Sequence, residues 1–173
     1  MEDFFTTIQE RRSVRKFKQE PIPSSVIEKI IAAGALAPSA GNVQPWKFYV
    51  VRQPEHKRSL AAAAWGQKFV AEAPAVIVVV AETAQCAAKY GSRGSELYAV
   101  QDTAAATENI LLSAFALGLG GCWVGAFDEG QIRQILGLSQ TQRPLAIIPL
   151  GYPADAPRTR QLKSTSEVTV AFD

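Results

Sequence analysis

The sequence predicts one domain of mixed helices and strands, in which a central strand is covered by helices on both faces. Three observations carry this. The run Ala75-Val-Ile-Val-Val-Val80 is apolar at consecutive positions and mostly β-branched, as in a strand with no solvent face. Roughly residues 96–117 place Leu97, Val100, Ala104, Thr107, Ile110, Leu111, Ala114 and Leu117 at helical spacing, with alanines that allow close packing. The 173 residues suffice for one domain with its own core, and no repeat, low-complexity tract or composition break divides them.

The remaining elements follow in chain order. Residues 3–12 read as a short helix with Phe4, Phe5 and Ile8 turned inward. Ser25-Val-Ile-Glu28 has the spacing of a capping box, so a second helix starts there and carries Val26, Ile27, Ile30 and Ile31 up to Gly34, with Pro38 limiting its extension. Lys47–Val51 reads as a strand and Pro54–Trp65 as an alanine-rich helix. Beyond the long helix, Cys122–Phe127 and Leu145–Leu150 read as strands, separated by a helix that Asp128 caps. The tail from Ala154 is polar and then alternates over Val168–Phe172, the pattern of an edge strand or of one that pairs with a partner chain.

The N-terminus has acids ahead of its basic cluster and no long apolar run, so it fits neither a secretory signal nor a membrane span, and a soluble, cytoplasmic protein is expected. Cys86 and Cys122 lack CxxC spacing and His56 is the single histidine, which argues against a zinc site or a disulfide scaffold. The formal charge of +2 is too small for a nucleic-acid footprint. Its distribution is uneven, however: Arg11, Arg12, Arg15, Lys16 and Lys18 fall within eight positions that contain no acid, and Arg158, Arg160 and Lys163 form a second group. Two such clusters in a nearly neutral chain suit a focused anion site, although either alone reads better as a solvated loop.

Three segments carry candidate chemistry. The run RRSVRKF offers guanidinium forks and a hydroxyl, the donors that match a phosphate monoester. The segment Ala37–Trp46, APSAGNVQPW, uses small residues that let a flat ring approach the backbone, with uncharged donors and acceptors at Ser39, Asn42 and Gln44. Read more plainly, it is a turn-rich connector. The segment Leu117–Phe127, LGLGGCWVGAF, leads from a helix through glycines into a strand, the reverse of the dinucleotide order, so its glycines serve either as a helix cap or to expose backbone N–H groups.

Taken together with GYP at 151–153 and RTR at 158–160, these segments resemble the nitroreductase family of FMN-dependent oxidoreductases, over nearly the whole chain and in family order. The shortness of the chain is similar to the compact branch of that family. The resemblance implies an α+β fold with a mostly antiparallel central sheet flanked by helices. It also implies an intertwined homodimer with two FMN sites at the interface. On this reading Arg11, Arg12, Ser13 and Arg15 bind the FMN phosphate and ribityl chain, and Arg158 and Arg160 complete the phosphate site. Pro38, Ser39, Asn42 and Gln44 contact the ring from the partner subunit. The segment Gly120, Gly121, Trp123, Val124 and Gly125 passes the flavin N5 edge and donates a backbone N–H there. Gln67 either reaches the polar edge of the ring or is a solvated helix-end residue.

The implied activity is ping-pong transfer of hydride from NADH or NADPH, through flavin N5, to a small-molecule acceptor such as a nitroaromatic or quinone, with no side-chain nucleophile. Alternatives are a flavin enzyme of the same fold with different chemistry, such as dehalogenation or flavin fragmentation, and a flavin- or anion-binding module without turnover. Several larger family members carry a proline and then a glutamate where Trp123 and Gly125 stand here, so their substrates do not carry over.

Overall fold

The computed structural model describes residues 3–156 and 160–172. Four strands, β1 (Trp46–Val51), β2 (Ala75–Glu82), β3 (Gly120–Gly121) and β4 (Gln142–Gly151), form one sheet in the order β1-β2-β4-β3. Every pairing is antiparallel, which makes the domain α+β. The consecutive apolar run is its centre, because both neighbours of β2 bond to it: Ile77 lies opposite Val50 on one side and Ile148 on the other.

Strand geometry sends alternate side chains to opposite faces, so an all-apolar strand must be covered twice. Val76, Val78 and Val80 join Ile147 and Leu60 of α3 (Pro54–Ala63) in one core. Ile77 and Val79 join Ile148, Ile30 of α2 (Ser24–Ala35) and Ile110 in the other. A bulge between Val79 and Val80 absorbs one residue of β4.

Helix α6 (Ala99–Ala116) packs across the second face. Its buried stripe is Ala99, Asp102, Thr103, Ala106, Thr107, Ile110, Leu111 and Ala114, so only the C-terminal half matches the predicted face. Leu97 precedes the helix in a π-helical turn, Gly94–Tyr98, and Val100 and Ala104 are only half-buried. That turn changes the angular spacing at the start of the stripe. Ahead of it lie α5 (Thr83–Arg93), which the sequence reading omitted, and earlier a short α4 (Lys68–Glu72), separated from α3 where Trp65 and Gly66 take positive φ.

Helix α7 (Glu129–Leu136) is capped as predicted: the Asp128 carboxylate accepts the Gln131 N–H at 2.9 Å. Several expectations fail. Helix α2 starts at Ser24 with Pro23 flanking it, and Val26 and Ile27 donate to the Pro23 carbonyl, so Ser25 lies inside the first turn and forms no capping box. Cys122–Phe127 is not a strand; only Val124 pairs there, with Ile147. Helix α1 (Phe4–Glu10) leaves Phe4, Phe5 and Ile8 exposed, because only Thr7 turns to the body of the chain. The tail forms a one-turn helix α8 (Thr165–Val168), stapled by Ser164 and Glu167, and the alternating residues that follow it lie open to solvent without forming a strand. Among the described residues of one chain no strand pairs with the tail, so it is not an edge strand of its own sheet. Cys86 and Cys122 are free thiols, both buried. No helix among the described residues is long and apolar enough to cross a membrane.

Candidate functional site

After α1 the chain runs extended, with two side chains turned to the core and the rest to the surface. Val14 and Phe17 are buried, while Ser13, Arg15 and Lys16 face out. Backbone bonds fasten the run on two sides: the Val14 N–H donates to Gly121 O at 2.9 Å, and Lys18 donates to Tyr152 O at 2.9 Å. Ala154 returns a bond to Lys16 O at 3.0 Å. The glycine segment is needed for this approach, since a Cβ on Gly120 would lie 2.5 Å from a Val14 methyl.

The result is a cleft of about 500 Å³ lined by residues 11–16, Asp155, Ala156 and Arg160. Five cations face one carboxylate in that lining, as an anion site requires. Arg12 is steadied by its own turn, donating to the carbonyls of Gln9 at 2.6 Å and Arg11 at 2.9 Å. Arg15 lies over the Phe69 ring at 5.8 Å. Two acids that the sequence reading missed organise the rest: Glu108 of α6 sits 3.4 Å from Arg11 Nε, and Asp155 pairs with Lys16 at 2.6 Å. Arg11 Nε is buried beside Glu108, within ion-pair range but without a well-formed hydrogen bond among the described residues. The guanidinium groups and the Ser13 hydroxyl of that lining fit a phosphate monoester. Arg158 lies outside the described residues.

The segment 37–45 is a second built region. Gly41, Asn42 and Gln44 have φ of 55°, 56° and 53°, and the left-handed region costs a residue such as Gln44 about 1–3 kcal/mol unless its surroundings enforce it. Four contacts do so. Ser39 Oγ accepts the Gln44 N–H at 2.9 Å, and Gln44 Nε2 donates to Asn42 Oδ1 at 3.1 Å. Lys89 Nζ of α5 donates to Gly41 O at 2.8 Å, and Asp102 Oδ1 of α6 accepts the Ala40 N–H at 3.0 Å. Asp102 is 6% exposed and its other oxygen has no partner among the described residues, so burial pushes its carboxyl above the ordinary carboxylate range, with the Ala40 N–H opposing. Neither Asp102 nor Lys89 was singled out from sequence, although a lone acid on the apolar stripe of α6 was a signal that could have found Asp102.

Within one chain, Pro38, Ser39, Asn42 and Gln44 do not line the cationic cleft, and neither do Gly120, Gly121, Trp123, Val124 and Gly125. In the glycine segment Val124 exchanges both backbone bonds with Ile147, at 2.9 and 3.0 Å, so its N–H is not offered to a ligand. Trp123 and Gly125 are both exposed. Gln67 turns out to be a brace: its amide donates to Ala64 O at 3.0 Å and Ala126 O at 3.2 Å, tying the end of α3 to the glycine segment.

An antiparallel sheet wrapped by helices, with a cationic cleft laid on a glycine-bearing strand, defines a compact α+β domain. The nitroreductase family model matches residues 8–70 and 57–152, and the chain belongs to the nitroreductase family. It is similar to a protein of Archaeoglobus fulgidus, 38% identical over 90% of this chain and 88% of that one. The NADH dehydrogenase of Thermus thermophilus is 34% identical over 88% of both chains. The crystal structure of the NADPH:FMN oxidoreductase of Vibrio harveyi, complexed with NAD+, superposes with a TM-score of 0.90 at 26% identity, covering 98% of this chain and 77% of that one.

Proposed function

We propose that the protein is an FMN-dependent oxidoreductase that takes hydride from NADH or NADPH and delivers it to an electron-poor acceptor such as a nitroaromatic or quinone. The observation that carries this reading is the cationic cleft of residues 11–16 and Arg160 built on the glycine segment, in a chain of the nitroreductase family. Bound FMN would supply reversible hydride chemistry at its ring. The residues of this chain would bind and orient it. Arg11, Arg12, Ser13, Arg15 and Arg160 would hold the phosphate, with Arg158 beyond the described residues assigned to the same end. Trp123 or Gly125 would offer the backbone N–H near the reactive edge, since Val124 bonds Ile147 instead.

The 38–44 segment lies outside the cleft of its own chain, and the apolar side chains of α1 and the tail are uncovered. Both observations support a homodimer in which that segment, with Pro38, Ser39, Asn42 and Gln44, meets the cofactor held by a partner subunit. The test is the visible spectrum of purified protein with FMN, followed anaerobically as NADH and then NADPH are added. Bound-flavin absorption that bleaches is the expected result. Flavin that binds but resists both nucleotides would leave a binding protein without turnover, and absence of bound flavin would overturn the reading.

A further inference from the structure

The carboxylate of Asp102 is placed where stability alone would not put one. It lies on the buried face of α6, one oxygen accepts the Ala40 N–H across 62 residues of sequence, and the other oxygen meets no donor among the described residues. A buried carboxylate oxygen without a partner disfavours the folded state. What the residue holds is the segment whose backbone is most strained, with left-handed φ at Gly41, Asn42 and Gln44. The opposite side of that segment is held by Lys89 on Gly41 O, and Tyr90 crowds Gly41 so closely that a Cβ there would collide with its hydroxyl. Two helices therefore grip one short loop, α6 by its N–H and α5 by its carbonyl.

We propose that Asp102, with Lys89 as second anchor, is a positioning residue that keeps the 39–44 segment in the conformation the cofactor meets. This rests on the FMN reading above. Asp102 need not touch the flavin; it sets the orientation of Ser39, Asn42 and Gln44, which do. A residue of this kind trades global stability for local order, so affinity and melting temperature should move independently.

The experiment compares wild type, Asp102→Ala, Asp102→Asn and Lys89→Met by FMN fluorescence titration, melting of the cofactor-free protein and hydrogen exchange at the Ala40 amide. Asp102→Ala should weaken FMN binding at least about tenfold and speed Ala40 exchange at least about tenfold, without lowering the melting temperature. Asp102→Asn keeps an acceptor oxygen and should restore both to within about threefold of wild type. Lys89→Met, at an exposed position that threatens folding less, should change both in the same direction by a smaller factor. The proposal is overturned if Asp102→Ala leaves either FMN affinity or Ala40 exchange within about twofold of wild type. It is equally overturned if melting falls in step with affinity and Asp102→Asn gives no rescue, the result of a purely structural role. Failure of the wild type to bind FMN would sink the cofactor reading instead, and Ala40 exchange in Asp102→Ala would still decide whether the clamp exists.

Discussion

Every residue of β2 from Ala75 to Ala81 is fully buried, whereas Phe5 and Phe172, with larger apolar side chains, stand 74% and 94% exposed. The first group is enclosed by what its own chain supplies: β1 and β4 at its sides, α3 and α7 on one face, α2 and α6 on the other. The second group, with Phe4, Ile8, Leu162, Val168 and Val170, has no such cover. One chain therefore encloses its central strand by itself and leaves apolar side chains uncovered at its ends. A concentration of uncovered apolar side chains marks an interaction surface, and a second copy of the chain is the partner proposed here.

The largest effect should come from the middle. Ile77→Ala opens a cavity between β2 and α6 and is expected to cost about 2–5 kcal/mol in denaturant unfolding, whatever the protein concentration. At the ends, Phe5→Ala and Phe172→Ala should leave the unfolding of a dissociated chain within about 0.5 kcal/mol of wild type. They should nevertheless raise the dimer dissociation constant at least tenfold or so in sedimentation experiments. Equal dimer strength in these variants would break the comparison.

Gly120→Ala probes the contact between the two regions, where the N-terminal run lies on β3. Its new methyl would meet Val14, so a loss of about 1–3 kcal/mol and weaker anion binding are expected, measured by melting and by FMN titration. Arg15→Ala should weaken FMN retention roughly tenfold, the worth of one charge-assisted contact, with little change in melting. Unchanged affinity would move the phosphate elsewhere.

The smallest effect is one of pH. Glu82 at the end of β2 accepts from Lys47 at 2.7 Å and from Gln142 at 2.7 Å, and the Lys47 ammonium above all holds its carboxyl below the ordinary range. A depressed folded-state pKa stabilises the protein above the unfolded value, and that contribution is lost as pH falls through the folded one. Acidifying from neutrality to below about pH 4 should therefore lower the melting temperature of wild type more than that of Glu82→Gln. Parallel curves would show that this bridge does not stabilise the end of β2.

Local pattern explains which elements were legible. Helix α7 announced itself through Asp128, because capping chemistry lies within a few residues of sequence. The strand at 122–127 was misread because the real structure is two paired glycines and a single bridge at Val124, and neither has a periodicity to detect. Helix α5 was missed because no side chain caps its start and Gly91 interrupts it. In the site, the basic run was visible as composition, whereas Asp102, Glu108 and Asp155 act on Ala40, Arg11 and Lys16 from distant parts of the chain.

The amino-acid order alone was enough to specify a doubly covered central strand, a cationic run and a small-residue segment, because burial preference and charge belong to the residues themselves. The folded chain decided which of those charges remain available. Arg11 is shared with Glu108, Lys16 with Asp155, and the 39–44 segment is held by Asp102 and Lys89. Hydrogen bonds and ion pairs act over a few ångströms of space whatever the separation along the sequence, so only the tertiary arrangement assigns their partners.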